Sequence, residues 1–222
     1  MMENNIHVFL FFTDINLKQE EISFFRGAMI CLVGVDKVLF HDHEKNGLRY
    51  SYPLVQYKII EGKAAIIAIG GGVASVEAAI SCVGKTLQVG RRKVLFNVVD
   101  TQLQRCLITI TENTHIYRLS HWLPLNQNNY GVFSTLESLR EKCTMLERLL
   151  IGNILSFAKG IGVYFDEEIK VSIVDIEKAE QYLFKNVKML GFDVVFRTNV
   201  LLPRYVGVGK GVSLGFGMIT IV

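Results

Sequence analysis

The chain has 222 residues, of which half are hydrophobic and only three are proline, and its formal net charge is +3. This composition predicts an ordered protein with one large core or two smaller ones, and the mild positive charge permits a nucleic-acid partner without requiring one. The four cysteines are far apart in sequence, which argues against a zinc knuckle or a dense disulfide framework and indicates a cytoplasmic protein. Two apolar runs, 8–12 and 28–35, are far shorter than the roughly 20 residues of a membrane-spanning helix. No membrane partner is expected.

The first half of the chain predicts the order strand, helix, strand, strand, helix, strand. Hydrophobic periodicity and turn residues place these elements at 6–12, 20–33, 53–60, 64–69 and 73–83, with further strands at 93–98 and 105–110. This order is the ferredoxin-like pattern. Polar residues dominate 36–51, between the first helix and the second strand, so this insert is where we expect chemistry.

The second half repeats this plan from about residue 114. Its clearest helix is 135–159, where leucine and isoleucine recur at steps of three and four, and strands are predicted at 170–174, 187–190, 193–202 and 218–222. We therefore predict an α+β protein with tandem ferredoxin-like (RRM-like) domains, one at 1–112 that carries the polar insert and one at 113–222.

The polar insert places His41, His43, Arg49 and Tyr50 within ten residues. Histidine can accept and donate a proton near neutral pH, and tyrosine stays protonated there and can donate a hydrogen bond. Cleavage of RNA without metal needs a base for the 2′-hydroxyl, a donor for the departing 5′-oxygen and a cation near the phosphate. Two alternatives remain open: half of a metal site, and a solvated loop with chance histidines.

The C-terminal segment 203–217 contains five glycines around a single lysine, Lys210. Its glycines are Gly207, Gly209, Gly211, Gly215 and Gly217. Glycine permits positive φ and close approach of another backbone, so such a loop can present amides to a phosphate, although a plain turn between two strands is the alternative. No helix is predicted directly after it, which excludes a Walker loop and a dinucleotide fingerprint.

Several basic residues occur near tyrosines, a mixture suited to phosphate contacts and base stacking. They are Arg49, Lys58, Arg204, Lys210 and the run 91–93. Each alone is typical of an ordinary protein surface, and together they favour RNA modestly.

Two stretches together resemble a known family. Residues 49–58 preceded by His41 and His43, and the end of the chain from 202 to 217, are similar to the b-type branch of the CRISPR repeat endoribonucleases, the sixth Cas family of the RAMP superfamily. The resemblance implies two ferredoxin-like domains, a glycine-rich loop that helps to hold RNA, and cleavage of precursor CRISPR RNA within repeats without metal or cofactor. The products would carry a 5′-hydroxyl and a 2′,3′-cyclic phosphate.

The resemblance also implies roles for individual residues. His43 matches the general base, His41 a supporting histidine and Tyr50 the tyrosine; some members have a catalytic lysine near the first helix, where Lys37 is our candidate. The RNA contacts expected are Gly207, Gly209, Lys210, Gly211, Gly215, Gly217, Arg204, Arg49 and Lys58. A homodimer and association with a CRISPR effector complex are further expectations. Two rival functions stay open: a non-cleaving subunit that binds repeat RNA, and a small-molecule binding or scaffold protein.

Overall fold

The structure is a computed structural model that describes residues 4–34 and 52–222. The chain divides into two compact units. The N-terminal unit comprises Asn5–Cys106 and Ser213–Gly215, and the C-terminal unit consists mainly of Leu107–Val212 and Phe216–Val222. The domain division that we predicted at 112/113 stays a prediction.

The N-terminal unit has a four-stranded antiparallel sheet in the order β2-β3-β1-β6. Its elements are β1 (Asn5–Asn16), α1 (Ile22–Val33), β2 (Val55–Ile60), β3 (Lys63–Ile69), α2 (Val73–Ile80), β4 (Thr86–Val89), β5 (Arg92–Leu95) and β6 (Val98–Leu107). With β6 as the fourth strand, this is the ferredoxin-like order. The β4–β5 hairpin is an addition to that pattern and forms its own two-stranded sheet.

The predicted helix and hairpin of this unit are confirmed. Helix α1 buries Ile22, Phe25 and Met29, which recur at helical spacing, in the core against the sheet. Strands β2 and β3 are joined by Glu61 and Gly62, both at positive φ, which is the geometry of a tight type I′ hairpin turn.

The C-terminal unit repeats the same sheet order as β10-β7-β9-β8. Its elements are β7 (Ile110–Trp122), α3 (Gln127–Thr135), α4 (Leu139–Gly160), β8 (Val171–Phe184), β9 (Val187–Val200) and β10 (Met218–Ile221). The predicted α+β fold with two ferredoxin-like repeats is therefore confirmed. Ser138 begins α4 with a capping box, since its hydroxyl accepts from the amide of Glu141 while the Glu141 carboxylate accepts from the amide of Ser138.

One part of the ferredoxin-like pattern is replaced in the C-terminal unit. The connection between β9 and β10, residues 201–217, contains no helix, and the glycine-rich segment occupies this place in the chain. Residues Val206, Val208, Val212 and Phe216 of this connection are buried. The segment thus supplies apolar side chains to the core, as the missing second helix would.

Two strand predictions were wrong. A separate strand at 105–110 does not exist, because β6 ends at Leu107 and β7 begins at Ile110. The strands expected at 187–190 and 193–202 are one strand, β9, which continues through Gly191. The strand continues through this glycine because the ring of Tyr182 packs against it and occupies the space that a side chain would need. A Cβ on Gly191 would lie 2.6 Å from that ring.

Candidate nucleic-acid interface

The glycine-rich segment runs back beside the last strand before it turns. The amide of Tyr205 donates to the carbonyl of Ile219 at 2.7 Å, and the amide of Val208 donates to the carbonyl of Gly217 at 2.9 Å. The first part of the segment therefore extends the edge of the sheet next to β10, and the turn lies between residues 209 and 216. The simple alternative, a turn between two extended stretches, describes this backbone correctly.

An aromatic cluster anchors the turn within the C-terminal unit. The ring of Phe216 meets the rings of Tyr182 and Phe184 edge to face, with centroids 5.9 and 5.6 Å apart. The sequence did not indicate this cluster directly. Tyr182 and Phe184 are two residues apart on β8, however, so their side chains lie on the same face of the strand. A fixed turn loses little conformational entropy when a ligand binds, which favours affinity.

The turn begins with Gly209, Lys210 and Gly211, which are half-buried. Gly209 and Gly211 have φ values of +92° and +75°, whereas Lys210 between them does not have positive φ. The three consecutive amides donate no hydrogen bond to any described residue. Successive amides with alternating backbone handedness form a concave anion-binding site, or nest. We name Gly209–Lys210–Gly211 the amide turn.

Two cations of the glycine-rich segment differ in their surroundings. Lys210 is half-buried and forms no ion pair within residues 4–34 and 52–222. Arg204 is exposed, and its guanidinium lies 4.4 Å from the centroid of the Tyr205 ring. Both are placed where a phosphate could reach them.

The other three glycines of the segment have a structural role. Gly207, Gly215 and Gly217 are buried. A Cβ on Gly217 would clash with the carbonyl oxygen of Val208, and one on Gly215 would lie 2.6 Å from Ile22. The predicted RNA contacts of these three glycines stay predictions, and their burial indicates a packing role in the chain itself.

Lys58 is also not a surface residue. Its side chain on β2 is 0% exposed, and burial alone lowers the pKa of its ammonium group to about 7. Gln56, on the same face of β2, is equally buried and donates to the hydroxyl of Tyr52 at 2.6 Å. The contact of Lys58 with RNA stays a prediction, with the side chain buried in this structure. A lysine in a strand is normally solvated, so no local signal in the sequence indicated its burial.

The predicted catalytic residues lie outside the described residues. They are Lys37, His41, His43 and Tyr50, and the predicted RNA contact Arg49 lies there as well. Their roles therefore stay predictions. Within the described residues no group of three or more histidine, cysteine, aspartate or glutamate side chains could hold a metal ion.

Family comparisons cover nearly the whole chain. The model of the Cas6b N-terminal domain matches residues 4–106, and the model of the Cas6b C-terminal domain matches residues 109–222. The chain belongs to the Cas6b family. Among curated proteins, the uncharacterized protein MJ0978 of Methanocaldococcus jannaschii is 34% identical over 111 residues, which are 50% of this chain and 74% of that protein.

Solved structures agree with this assignment. A crystal structure of Cas6b matches with a TM-score of 0.88 and 29% identity, and covers 98% of this Cas6b-family chain and 100% of that chain. A crystal structure of the CRISPR RNA processing endoribonuclease Cas6b matches at 0.75 and 27%, with the same coverage. The type IV Cas6 crRNA endonuclease Csf5 matches at 0.59 and 14% over 98% of this chain and 99% of that one, which supports the RAMP-type fold alone. None of the helices in the described residues is long and apolar enough to cross a membrane.

Proposed function

We propose that this Cas6b-family protein is a cytoplasmic, metal-independent endoribonuclease that cleaves precursor CRISPR RNA within its repeats. The observation that carries this proposal is the match of both Cas6b domain models, one in each half of the chain. A relative with the same fold at 27% identity is a CRISPR RNA processing endoribonuclease by name. Homodimerisation and association with an effector complex belong to this proposal as well.

The proposed chemistry is an internal transesterification. His43 accepts the proton of the ribose 2′-hydroxyl, the 2′-oxygen attacks the adjacent phosphorus, and the bond from phosphorus to the 5′-oxygen breaks. Tyr50 donates a hydrogen bond to the charge that develops, His41 supports His43, and Lys37 is the candidate cation. The departing 5′-oxygen takes up a proton, so the products are a 2′,3′-cyclic phosphate and a 5′-hydroxyl.

The amide turn is the part of the proposed RNA site that the structure describes. The Lys210 ammonium, the exposed Arg204 guanidinium and three amides that bond to no described residue provide donors for phosphate oxygens without selecting a base. We therefore expect Lys210→Ala to weaken binding of repeat RNA and to lower the slope of log affinity against log salt by about 0.7, the value for one contact with a single strand. Lys63→Ala, an exposed lysine on β3, is the matched control and should leave both quantities unchanged.

The deciding experiment is cleavage of repeat RNA in EDTA. Wild-type protein should cut at one position in each repeat, and His43→Ala should abolish the cut. His7→Ala replaces an exposed histidine of β1 and should cut normally. A single 2′-deoxy substitution on the 5′ side of the cut should also block the reaction, because it removes the nucleophile.

Each failure has a different meaning. Loss of wild-type activity in EDTA would select the metal site at His41 and His43. Tight binding without any cut would select the non-cleaving RNA-binding subunit. Absence of salt-sensitive RNA affinity would select the scaffold or small-molecule protein.

A further inference from the structure

A groove on the N-terminal unit lies between α1 and the β4–β5 hairpin, the hairpin that is added to the ferredoxin-like pattern. It is an open groove of about 770 Å³. Small side chains on α1 leave room at its floor. The lining includes Phe24, Gly27, Ala28 and Cys31 from the helix and Gln88 and Arg91 from the hairpin.

Phe24 presents an exposed aromatic ring at this groove. The side chain is 54% exposed, although an exposed phenyl ring loses the hydrophobic stabilisation of burial. One edge packs on the hairpin turn, since the ring lies 3.4 Å from the place where a Cβ on Gly90 would be. The hairpin thus holds the ring while leaving much of its surface available for stacking.

The hairpin and helix α1, which form the walls of the groove, carry cations and no carboxylates within their own bounds, although Glu20 and Glu21 directly precede α1. Residues 84–95 contain four basic residues and no aspartate or glutamate, and α1 contains Arg26 and no acid. Arg92 is neutralised by Glu21 at 2.8 Å and also donates to the carbonyl of Asn16, which fixes the hairpin beside the start of α1.

Two cations of the hairpin are exposed, and one of them lines the groove. Arg91 lines the groove, and Lys93 lies directly across the hairpin from Gln88, which lines it too. Both are exposed, and neither forms an ion pair with a described residue. An exposed aromatic ring on an element next to a hairpin whose exposed cations have no described ion-pair partner fits a polyanion that carries flat rings.

We propose that this groove is a second RNA-binding surface, in which a base of single-stranded RNA stacks on Phe24 and its neighbouring phosphates contact Arg91 and Lys93. Stacking on an aromatic ring beside a basic track is the chemistry of sequence-tolerant binding to single strands. The inference rests on the proposed function only in taking RNA as the ligand; it does not depend on cleavage. It places an RNA contact on the N-terminal unit, apart from the amide turn.

Cys31 provides a direct test in the unaltered protein, because its exposed thiol lines the groove. Alkylation of each cysteine is followed by mass spectrometry with and without single-stranded oligouridylate or repeat RNA. If the cleavage position in the repeat has been mapped, the repeat RNA used here carries a 2′-deoxy ribose on the 5′ side of that position, so that it stays intact during the measurement. At RNA concentrations ten times Kd, Cys31 should react about tenfold more slowly, because only about one tenth of the protein is then free. Cys143, on α4 in the other unit, is the internal control.

Two variants test the contacts that we assign. Phe24→Ala should raise the Kd for oligouridylate about tenfold, within the range for loss of one stacked base. The pair Arg91→Ser and Lys93→Ser should lower the salt slope by about 1.4, since each phosphate contact with a single strand contributes about 0.7. Matched controls are Tyr164→Ala, an exposed ring, and the pair Arg140→Ser and Lys159→Ser, exposed cations of α4. The controls should leave Kd and slope unchanged.

The outcomes separate this inference from the proposed function. Protection of Cys31 without cleavage would support the groove and contradict the nuclease. Cleavage with unprotected Cys31 and unaltered Kd in Phe24→Ala would overturn the groove and leave the nuclease intact. Protection of Cys31 at high protein concentration without RNA would mean that a second copy of the chain occupies the groove, and this would also overturn the proposal.

Discussion

Replacement of Lys58 by methionine tests whether this lysine is buried as the structure shows. Its pKa of about 7 is below the ordinary value of 10.5 because burial penalises the charged form. Below pH 7 the amine is protonated in both the folded and the unfolded chain, so burial of the charged ammonium lowers the free energy of unfolding by its full amount. Above about pH 10.5 it is neutral in both states. Stability should therefore rise with pH between these limits in the wild-type protein.

The size of this effect follows from the two pKa values. A difference of one pKa unit corresponds to about 1.36 kcal/mol. Between pH 7 and pH 9, partial titration of the folded state reduces the gain of two full units to about 2 kcal/mol of unfolding free energy. Lys58→Met has no such group and should lack this increment. Lys63→Met, which replaces an exposed lysine of the neighbouring strand, should retain it.

Thiol labelling during urea unfolding measures this locally. Cys82 is buried in the core of the N-terminal unit, so its reactivity reports unfolding of the unit that contains Lys58. The single tryptophan, Trp122, lies in the C-terminal unit, and its fluorescence serves as the control transition. If Lys58→Met and wild type gain equal stability from pH 7 to 9 by Cys82 labelling, the burial assigned to Lys58 is wrong.

Two further predictions concern the C-terminal unit, and both use Trp122 fluorescence in urea. Gly217→Ala should destabilise it by more than about 2 kcal/mol, because the new Cβ meets the carbonyl oxygen of Val208 and the residue has φ of +61°. Gly152→Ala, in the middle of α4 with open space around it, should instead stabilise the unit by up to about 1 kcal/mol, and equal effects of the two changes would refute the packing role of Gly217. Asn153→Leu should lower the free energy of unfolding by about 1–3 kcal/mol, because the buried indole N–H of Trp122 donates to the Asn153 side chain at 2.8 Å and would lose its acceptor. Unchanged stability would contradict the importance of this hydrogen bond.

The regular elements of the fold could be predicted because their local signals agree with the tertiary structure. The apolar stripe of α4 is buried at Leu146, Leu150 and Ile154, as the periodicity indicates. Its start is residue 139 rather than 135, because the capping box at Ser138 decides where the helix begins. Helix α3 was missed, since Gly131 interrupts a segment that buries only Phe133.

The candidate site was predicted less completely, because burial of a polar or small residue depends on contacts distant in sequence. Lys58 was taken for a surface cation, yet it is completely buried even though β2 is an edge strand of its sheet. The glycine-rich segment was recognised as a loop, but its division into the buried Gly217 and the half-buried Gly209 and Gly211 depends on packing against residues distant in sequence, such as Asn153 and Phe184. The β4–β5 hairpin was missed although Gly90, at positive φ, is its turn residue.

The chemical nature of the RNA ends tests the central claim most directly. Repeat RNA is incubated with wild-type protein in EDTA, and the mass of the upstream product is measured. We expect a mass lower by one water than that of a linear 3′-phosphate, which identifies a 2′,3′-cyclic phosphate, together with a downstream product that has a free 5′-hydroxyl. A 3′-hydroxyl with a 5′-phosphate would show that water, not the 2′-oxygen, is the nucleophile, and would contradict the proposed role of His43.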